Sequence, residues 1–435
     1  MQEDTNYREY ADALRVFFTQ NIPRILKEPN TLLKHPFMDP GSVYIGNLWD
    51  WDSYWTTYGL LGIIAHEGVS MEDGLKQHIM EHAHGNILNF LDLQMDDGYI
   101  PMMVTDDIDV LQSHYLIDKH REGYVLNMHK PFLCQHIYLI ASFENDFGWT
   151  KGMMDQLEKY FSCYHRYYYN ENAGLYVWAD DVMIGMDNDP ASFGRPRFST
   201  ANIFLNSFMV GELRSMAIIA SHNKMETAAM RYRKEAEMLV EHILVECWDN
   251  RDKFFYSVDV DVKTRSYDWF HKGLGVFWKT LPIKIRTWSG FLPLLEGFAT
   301  EEQAAFLVAL HSEDANTFNS PFGIRTLARD EKMYDLSATN NPSNWLGPIW
   351  GVSNYAVFRG LMKYGYFDQA KSLCYKTVRM LGEDLERTGT LHEYYDPESG
   401  KPIMNGGFIN WNLLVLNMID EIDGRQPMDA REMTI

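Results

Sequence analysis

The stretch Leu157-Glu158-Lys159-Tyr160-Phe161-Ser162-Cys163-Tyr164-His165-Arg166-Tyr167-Tyr168 decides the fold class. Its apolar side chains at 157, 160, 161, 164 and 168 recur every three or four residues, the spacing that lines one face of an α-helix. Tyr7, Tyr10, Leu14 and Phe17 repeat the pattern near the N-terminus. Working outward, helical periods run through roughly 53–67, 73–94, 128–145, 200–222, 225–246, 301–312, 349–364, 367–384 and 408–422. Polar turn stretches punctuate them, such as Asp96-Asp97-Gly98-Tyr99-Ile100-Pro101 and Asn170-Glu171-Asn172-Ala173-Gly174. No Pro/Gly/Ser-rich seam divides the 435 residues. The expected architecture is all-α: residues 1–435 as a single domain, a helical toroid whose inner helices are ringed by outer ones. Long loops then form a cleft at one end. An open helical solenoid ranks second, because its repeats are more regular and carry fewer loop tryptophans.

Composition excludes several functions. Lys+Arg 39 against Asp+Glu 60 leaves −21, and no basic cluster is present to neutralise nucleic-acid phosphates. The same acidity argues against a membrane surface, and no apolar run reaches the ~18 residues expected of a spanning helix. With 46% hydrophobic residues the chain can bury a large core, and its 14% aromatic content is high. Carboxylates beside aromatic rings suit a sugar-binding cleft, since a sugar has a polar rim and an apolar C–H face, and a large acidic enzyme of any kind contains them too. Cys134, Cys163, Cys247 and Cys374 lie far apart in apolar stretches, which reads as buried free thiols. No metal site and no cofactor is expected. The thiols and the absence of a leader pattern at Met1–Thr5 point to the cytoplasm, with the periplasm as the alternative for a chain whose leader has been removed.

Four loop segments carry the candidate chemistry. The densest is Trp178 to Pro190, where Gly185 and Pro190 bracket Met186-Asp187-Asn188-Asp189. An Asx-turn, in which Asp187 or Asp189 bonds only its own backbone, is the plainer account of those aspartates and the one the residues alone favour. Leu391-His392-Glu393-Tyr394-Tyr395-Asp396-Pro397 sets Glu393 among aromatics, which raises a carboxyl pKa if the side chain points inward. A hairpin with Glu393 in solvent competes. Asn47-Leu48-Trp49-Asp50-Trp51-Asp52-Ser53-Tyr54-Trp55 offers carboxylates beside indoles, or a capped helix N-terminus, or both. In Asn344-Trp345-Leu346-Gly347-Pro348-Ile349-Trp350, Gly347-Pro348 starts a helix, and the tryptophans face an opening or the core. No Gly-x-Ser-x-Gly elbow, phosphate loop or HExxH is present.

Taken in order, these segments resemble glycoside hydrolase family 63, in particular its compact bacterial members acting on glucosylglycerate and mannosylglycerate. Gly185-Met186-Asp187-Asn188-Asp189-Pro190 is similar to the family's acid loop, with Asp189 in place of the usual serine. Trp51-Asp52 matches an N-terminal Trp-Asp pair. Trp345-x-Gly347-Pro348-x-Trp350 matches a Gly-Pro-x-Trp segment, and Glu393-Tyr394-Tyr395-Asp396-Pro397-x-x-Gly400 matches the loop carrying the base. Trp248-Asp249 with Phe255-Tyr256 resembles a structural landmark. The resemblance covers about 45 to 415 and implies an (α/α)6 barrel.

It further implies an inverting α-glycosidase, cleaving an α-glucoside or α-mannoside. Asp187 is then the general acid and Glu393 the general base, with ~6.5–9.5 Å between carboxyls to admit a water. Asp52 grips sugar hydroxyls, Trp51, Trp178, Trp345 and Trp350 form apolar walls, and Gly347, Asn188, Gln135 and Arg325 are further binding candidates. Two other classes compete. A sugar isomerase or epimerase on the same barrel requires histidines such as His129, His136 or His271 at its centre, and a non-catalytic carbohydrate-binding protein requires the aromatics alone.

Overall fold

The computed structural model describes residues 2–66, 71, 73–110, 127–180, 182–262, 278–337 and 343–428. Apart from a three-residue turn at Ile108–Val110, its α-helices are α1 (Gln2–Asn21), α2 (Asp50–Ala65), α3 (Asp73–Asp92), α4 (Leu133–Glu144), α5 (Met154–Tyr168), α6 (Ile203–His222), α7 (Glu226–Glu246), α8 (Leu292–Leu295), α9 (Glu301–Leu307), α10 (Gly351–Lys363), α11 (Phe367–Thr388) and α12 (Leu414–Ile422). They alternate between two environments. Every residue of α2 from Asp50 to Ile63 is buried, as are Leu133–Ala141 of α4, Ile203–Leu213 of α6 and Gly351–Leu361 of α10. A helix buried all round belongs inside an assembly of helices. The odd-numbered α5, α7 and α11 instead bury one stripe: Leu157, Tyr160, Phe161, Tyr164 and Tyr168 in α5, and Ala370, Leu373, Cys374, Thr377, Val378 and Leu381 in α11.

The inner helices close on themselves. α2 packs on α4, α4 on α6, α6 on α8, α8 on α10, α10 on α12, and α12 returns to α2. That closure separates the toroid from a solenoid, whose terminal repeats never meet. The protein is thus an (α/α)6 barrel. Its hollow is filled rather than open: Trp55 meets Phe132, Phe208 and Tyr355 edge-on, and the Tyr355 hydroxyl bonds Tyr58 and Glu421, which also pairs with Arg359 at 2.6 Å. Helix α6 is long and apolar enough to cross a membrane, contrary to the expectation that no such run exists. Its window is 89% buried, because an inner helix meets protein on every side.

Short strands precede three inner helices at their N-terminal ends. Leu48–Trp49 leads into α2 and pairs with Met103–Val104; Thr200–Ala201 leads into α6 and pairs with Val258–Asp259. Ile349–Trp350 leads into α10 and pairs with Tyr394–Tyr395, which pairs in turn with Pro402–Met404. The cleft loops are therefore tied together by ladders where the inner helices begin. The Trp248–Asp249 and Phe254–Phe255 landmark is a hairpin. Helix ends differ from the periodic reading where another bond wins. Residues 127–132 form an irregular run bridged at Met128 to Pro101, so α4 starts at Leu133, and the 301–312 period ends in a π turn at Val308–Ser312. The four-residue α8, carrying Pro293, is too short to show a period. All four cysteines are buried and free.

Candidate active site

The acid-loop aspartates divide their work. After a short 3-10 turn, Val182–Ile184, Gly185 takes φ +74°, a left-handed conformation that glycine adopts without strain. Asp189 is 3% exposed and accepts hydrogen bonds from Asn202, the N-cap of α6, and from Ser192 and backbone within its own turn. Burial outweighs those bonds and lifts its carboxyl to about 7. Asp189 is thus the residue that performs the Asx-turn, and Asp187, half-buried, faces a cavity of about 420 Å³. Asn188 does not: its amide donates to Asn344 at 3.1 Å and its oxygen accepts the Trp345 N–H at 2.7 Å, bracing the acid turn to the Trp345 segment.

Glu393 opens the strand Tyr394–Tyr395 and lies on the cavity with 2% of its surface exposed. Tyr44 donates its hydroxyl to Oε1 at 3.0 Å, and the Asn405 amide donates to Oε2. Burial is the largest influence and raises the carboxyl from 4.5 to about 7; the two hydrogen bonds oppose it and the Asp187 charge adds to it. Tyr44 remains protonated, because burial and the facing Glu393 carboxylate both raise its phenol. Its turn is braced by Asp39, whose oxygens accept the Gly41 and Gly46 N–H groups at 3.1 and 2.8 Å.

The third carboxylate, Asp52, sits in the first turn of α2, where the helix dipole favours negative charge. It accepts a hydrogen bond from Asn410 and is 8% exposed. Around these groups stand indoles. Trp345 stacks on Trp350 at 3.9 Å and 10°, Trp350 on Tyr394 at 4.7 Å, and Trp51 lies 5.1 Å from Trp411 and 5.9 Å from Trp345. The Trp345 and Trp350 ring N–H groups are consumed by Ser343 and the Asn344 carbonyl, which sets the planes of the rings. Flat apolar walls beside three carboxylates suit a sugar ring better than a peptide or a phosphate.

Several expected binding residues stand elsewhere. Trp178 packs on Phe204 in the core behind the cavity. Gln135 directs its amide to the Pro131 and Phe208 carbonyls, inside the ring. Arg325, 1% exposed, binds the carbonyls of Ala315, Thr317 and Asn319 and pairs with Glu398, tying two loops together. Gly347 has φ +132° with the Tyr334 ring pressed against it, so it shapes the turn without lining the cavity. His129 and His136 are buried, bonded to the Lys130 carbonyl and to Thr57, and lowered by burial to about 4 and about 3; neither lines the cavity. His271 lies outside the described residues. The motif reading passed over Tyr44, Met102, Phe193, Ser343 and Trp411, which complete the lining, and Asn405. The aromatic surplus hinted at Tyr44, Phe193 and Trp411, and nothing in the sequence signalled Met102, Ser343 or Asn405.

A closed ring of inner helices sheathed by outer ones, with a carboxylate-bearing cavity where the inner helices begin, defines an (α/α)6-barrel glycoside hydrolase. The chain belongs to the family described as the mannosylglycerate hydrolase MGH1-like glycoside hydrolase domain, whose profile matches residues 74–411. It is a mannosylglycerate hydrolase-like member of glycoside hydrolase family 63. It is 24% identical over 329 residues to a probable mannosyl-oligosaccharide glucosidase of Schizosaccharomyces pombe, covering 73% of this chain and 37% of that protein. It is 27% identical over 173 residues to mannosylglycerate hydrolase MGH2 of Selaginella moellendorffii, covering 38% and 30%. The chain therefore matches only about a third of the length of these relatives. In fold it is similar to the family 63 mannosylglycerate hydrolase of Thermus thermophilus in complex with glucose, with TM-score 0.64, 17% identity, and coverage of 87% of this chain and 95% of that one. Neutral trehalase Nth1 of Saccharomyces cerevisiae shares the fold at TM-score 0.60 and 16% identity, with coverage of 93% and 77%.

Proposed function

We propose that the protein is an inverting α-glycosidase in which Asp187 is the general acid and Glu393 the general base. The observation that carries the reading is the pairing of these two carboxylates on one Trp-walled cavity, with both oxygens of Glu393 accepting hydrogen bonds. Bonds of that kind stabilise the anion, the form a base must have to take a proton from water. Asp187 then delivers its proton to the glycosidic oxygen as the anomeric bond breaks. Asp52 holds sugar hydroxyls. One observation favours the reverse assignment: a carboxyl raised to about 7 also suits an acid at neutral pH. The leaving-group series described in the Discussion separates the two.

The substrate is an α-glucoside or α-mannoside, the sugars named in the relatives. Among the described residues the cavity lining holds Asp52, Asp187 and Glu393 and no Lys, Arg or His, so a neutral aglycone fits better than a carboxylate-bearing one. The test is proton NMR of fresh digests of α-mannosyl- and α-glucosyl-glycerol beside the matching glycerates. The β-anomer is expected first, with the glycerol compounds favoured about tenfold or more in kcat/KM, since about 1.4 kcal/mol of like-charge repulsion is a factor of ten. First release of the α-anomer overturns inversion, and preference for the glycerates overturns the neutral aglycone.

The donors to Glu393 make a prediction of their own. Tyr44→Phe and Asn405→Ala each remove a bond that stabilises its anion, so the carboxyl rises above about 7. The acid limb of kcat/KM then moves to higher pH by about 1–2 units, the equivalent of one hydrogen bond to a charged group. A pH–rate profile superimposable on the wild type contradicts this role for both residues.

A further inference from the structure

Beneath the cavity floor lies an ammonium group that the reaction as described does not use. Lys130 is 0% exposed, and its Nζ stands 2.8 Å from Oδ1 of Asp50, whose side chain is also fully buried. The contact is a charge contact and not an aligned hydrogen bond, so the ammonium's donors find no well-directed acceptor among the described residues. Asp50 is otherwise occupied. Its Oδ1 accepts the Trp51 N–H at 2.7 Å and its Oδ2 the Lys130 N–H at 2.7 Å. The ammonium lies 5.7 Å from the centre of the Trp51 ring. On its other side is the acid turn: a Cβ on Gly185 would stand 3.1 Å from Nζ and 3.4 Å from Trp51 Nε1. The lysine head and the indole thus fill the place where a side chain at 185 would go.

We infer that Lys130 is a positioning residue: its buried ammonium sets the Gly185–Asp187 turn against the Trp51–Asp52 end of α2 and supplies the positive charge beside the sugar-binding carboxylate. A buried ion pair with unsatisfied donors is a weak stabilising device, and replacing both partners by neutral groups is often harmless to folding. Its place under the acid turn gives it a positioning role instead. The groups around Asp52 agree with this: burial, Asp50 and Glu393 raise its carboxyl, and Lys130 lowers it. Tyr44, in the turn facing Glu393, Asn410, which donates to Asp52, and Asp187 on the same cavity also stand near it.

The inference rests on the glycosidase reading of the cavity. Its test compares Lys130→Met/Asp50→Asn, Lys130→Arg and Asp187→Asn with the wild type, by thermal unfolding and by kcat and KM across pH. The neutral double variant gives up one of the two backbone N–H acceptors that Asp50 supplies, so it is expected to fold but to unfold below the wild-type temperature, and to lose about 10²-fold in kcat/KM, the scale of a displacement of about 1 Å in a reacting group. Lys130 lowers the Asp52 carboxyl more than Asp50 raises it, so losing both charges leaves a net rise and the acid limb of the substrate-binding step moves to higher pH, while Lys130→Arg, which keeps both charges, returns the limb toward its original position. A folded double variant with wild-type kcat, KM and pH profile overturns the inference and leaves the cavity reading standing, provided Asp187→Asn is inactive. An Asp187→Asn variant with wild-type turnover overturns both.

Discussion

Asp187→Asn lowers kcat by about 10²–10⁴-fold on substrates with a poor leaving group, the range a positioned proton donor contributes. The amide is close in size to the carboxyl but has no acidic proton to give. The loss depends on the aglycone. A glycosyl fluoride departs without protonation, so the variant should cleave it at a rate within a few-fold of the wild type, and an ordinary alkyl glycoside hardly at all. The same series run on Glu393→Gln should show no such rescue. If Glu393→Gln is the variant rescued by a good leaving group, the acid and base roles are exchanged. Asp189 holds the turn through Asn202 and Ser192, and the amide at 187 keeps nearly the volume of the carboxyl. The unfolding temperature should therefore stay close to that of the wild type.

Glu393→Gln is expected to cost about 10²–10⁴-fold with every leaving group, since the water then has no base. Two pH dependences follow from its carboxyl lying at about 7 in place of 4.5. In the wild type, kcat/KM falls as pH drops below about 7, because the base becomes protonated; in the glutamine variant that limb disappears along with most of the rate. Stability moves the other way. A carboxyl raised on folding is favourable while protonated, so its contribution is complete below about 4.5 and is lost as pH rises through about 7. Above that pH the wild type holds a charge in a site that disfavours it, by at most about 3 kcal/mol for a shift of this size. Glu393→Gln should therefore be the more stable protein at pH 8 and differ little at pH 4, as read by thermal unfolding. Equal stability across that range contradicts the buried-carboxyl account.

How much of this was legible depends on what kind of evidence a residue type carries. The helices of the ring were readable because burial on one stripe demands apolar residues every three or four positions, and Leu157 to Tyr168 supply them. The inner helices were readable as helices but not as inner ones; α8 escaped because four residues around Pro293 carry no period. Within the site, loop chemistry made Asp187, Glu393, Asp52, Trp51, Trp345 and Trp350 candidates, the family resemblance gave them their roles, and all line one cavity. Trp178, Asn188 and Gly347, from the same loops, and Gln135 and Arg325, named as further binding candidates, do not line it. An aspartate, a tryptophan or an arginine looks the same in a sequence whether it faces a ligand or braces a turn.

The amino-acid sequence by itself determined that the chain is helical, that no Pro/Gly/Ser-rich stretch divides it, and that a few carboxylates lie in tryptophan-rich loops. These are local properties, set by side-chain periodicity and turn chemistry within a dozen residues. Tertiary structure alone decided which carboxylates meet. Closure of α12 onto α2 brings the Trp411 segment beside Trp51, and the ladder joining Ile349–Trp350 to Tyr394–Tyr395 brings Glu393 to the same opening. It also decided that Asp187 faces the cavity while Asp189, two residues on, is committed to the turn, through a positive φ at Gly185 and a partner at Asn202. The physical reason is direction: a side chain's chemistry belongs to its residue, but where it points depends on backbone angles and neighbours from distant parts of the chain.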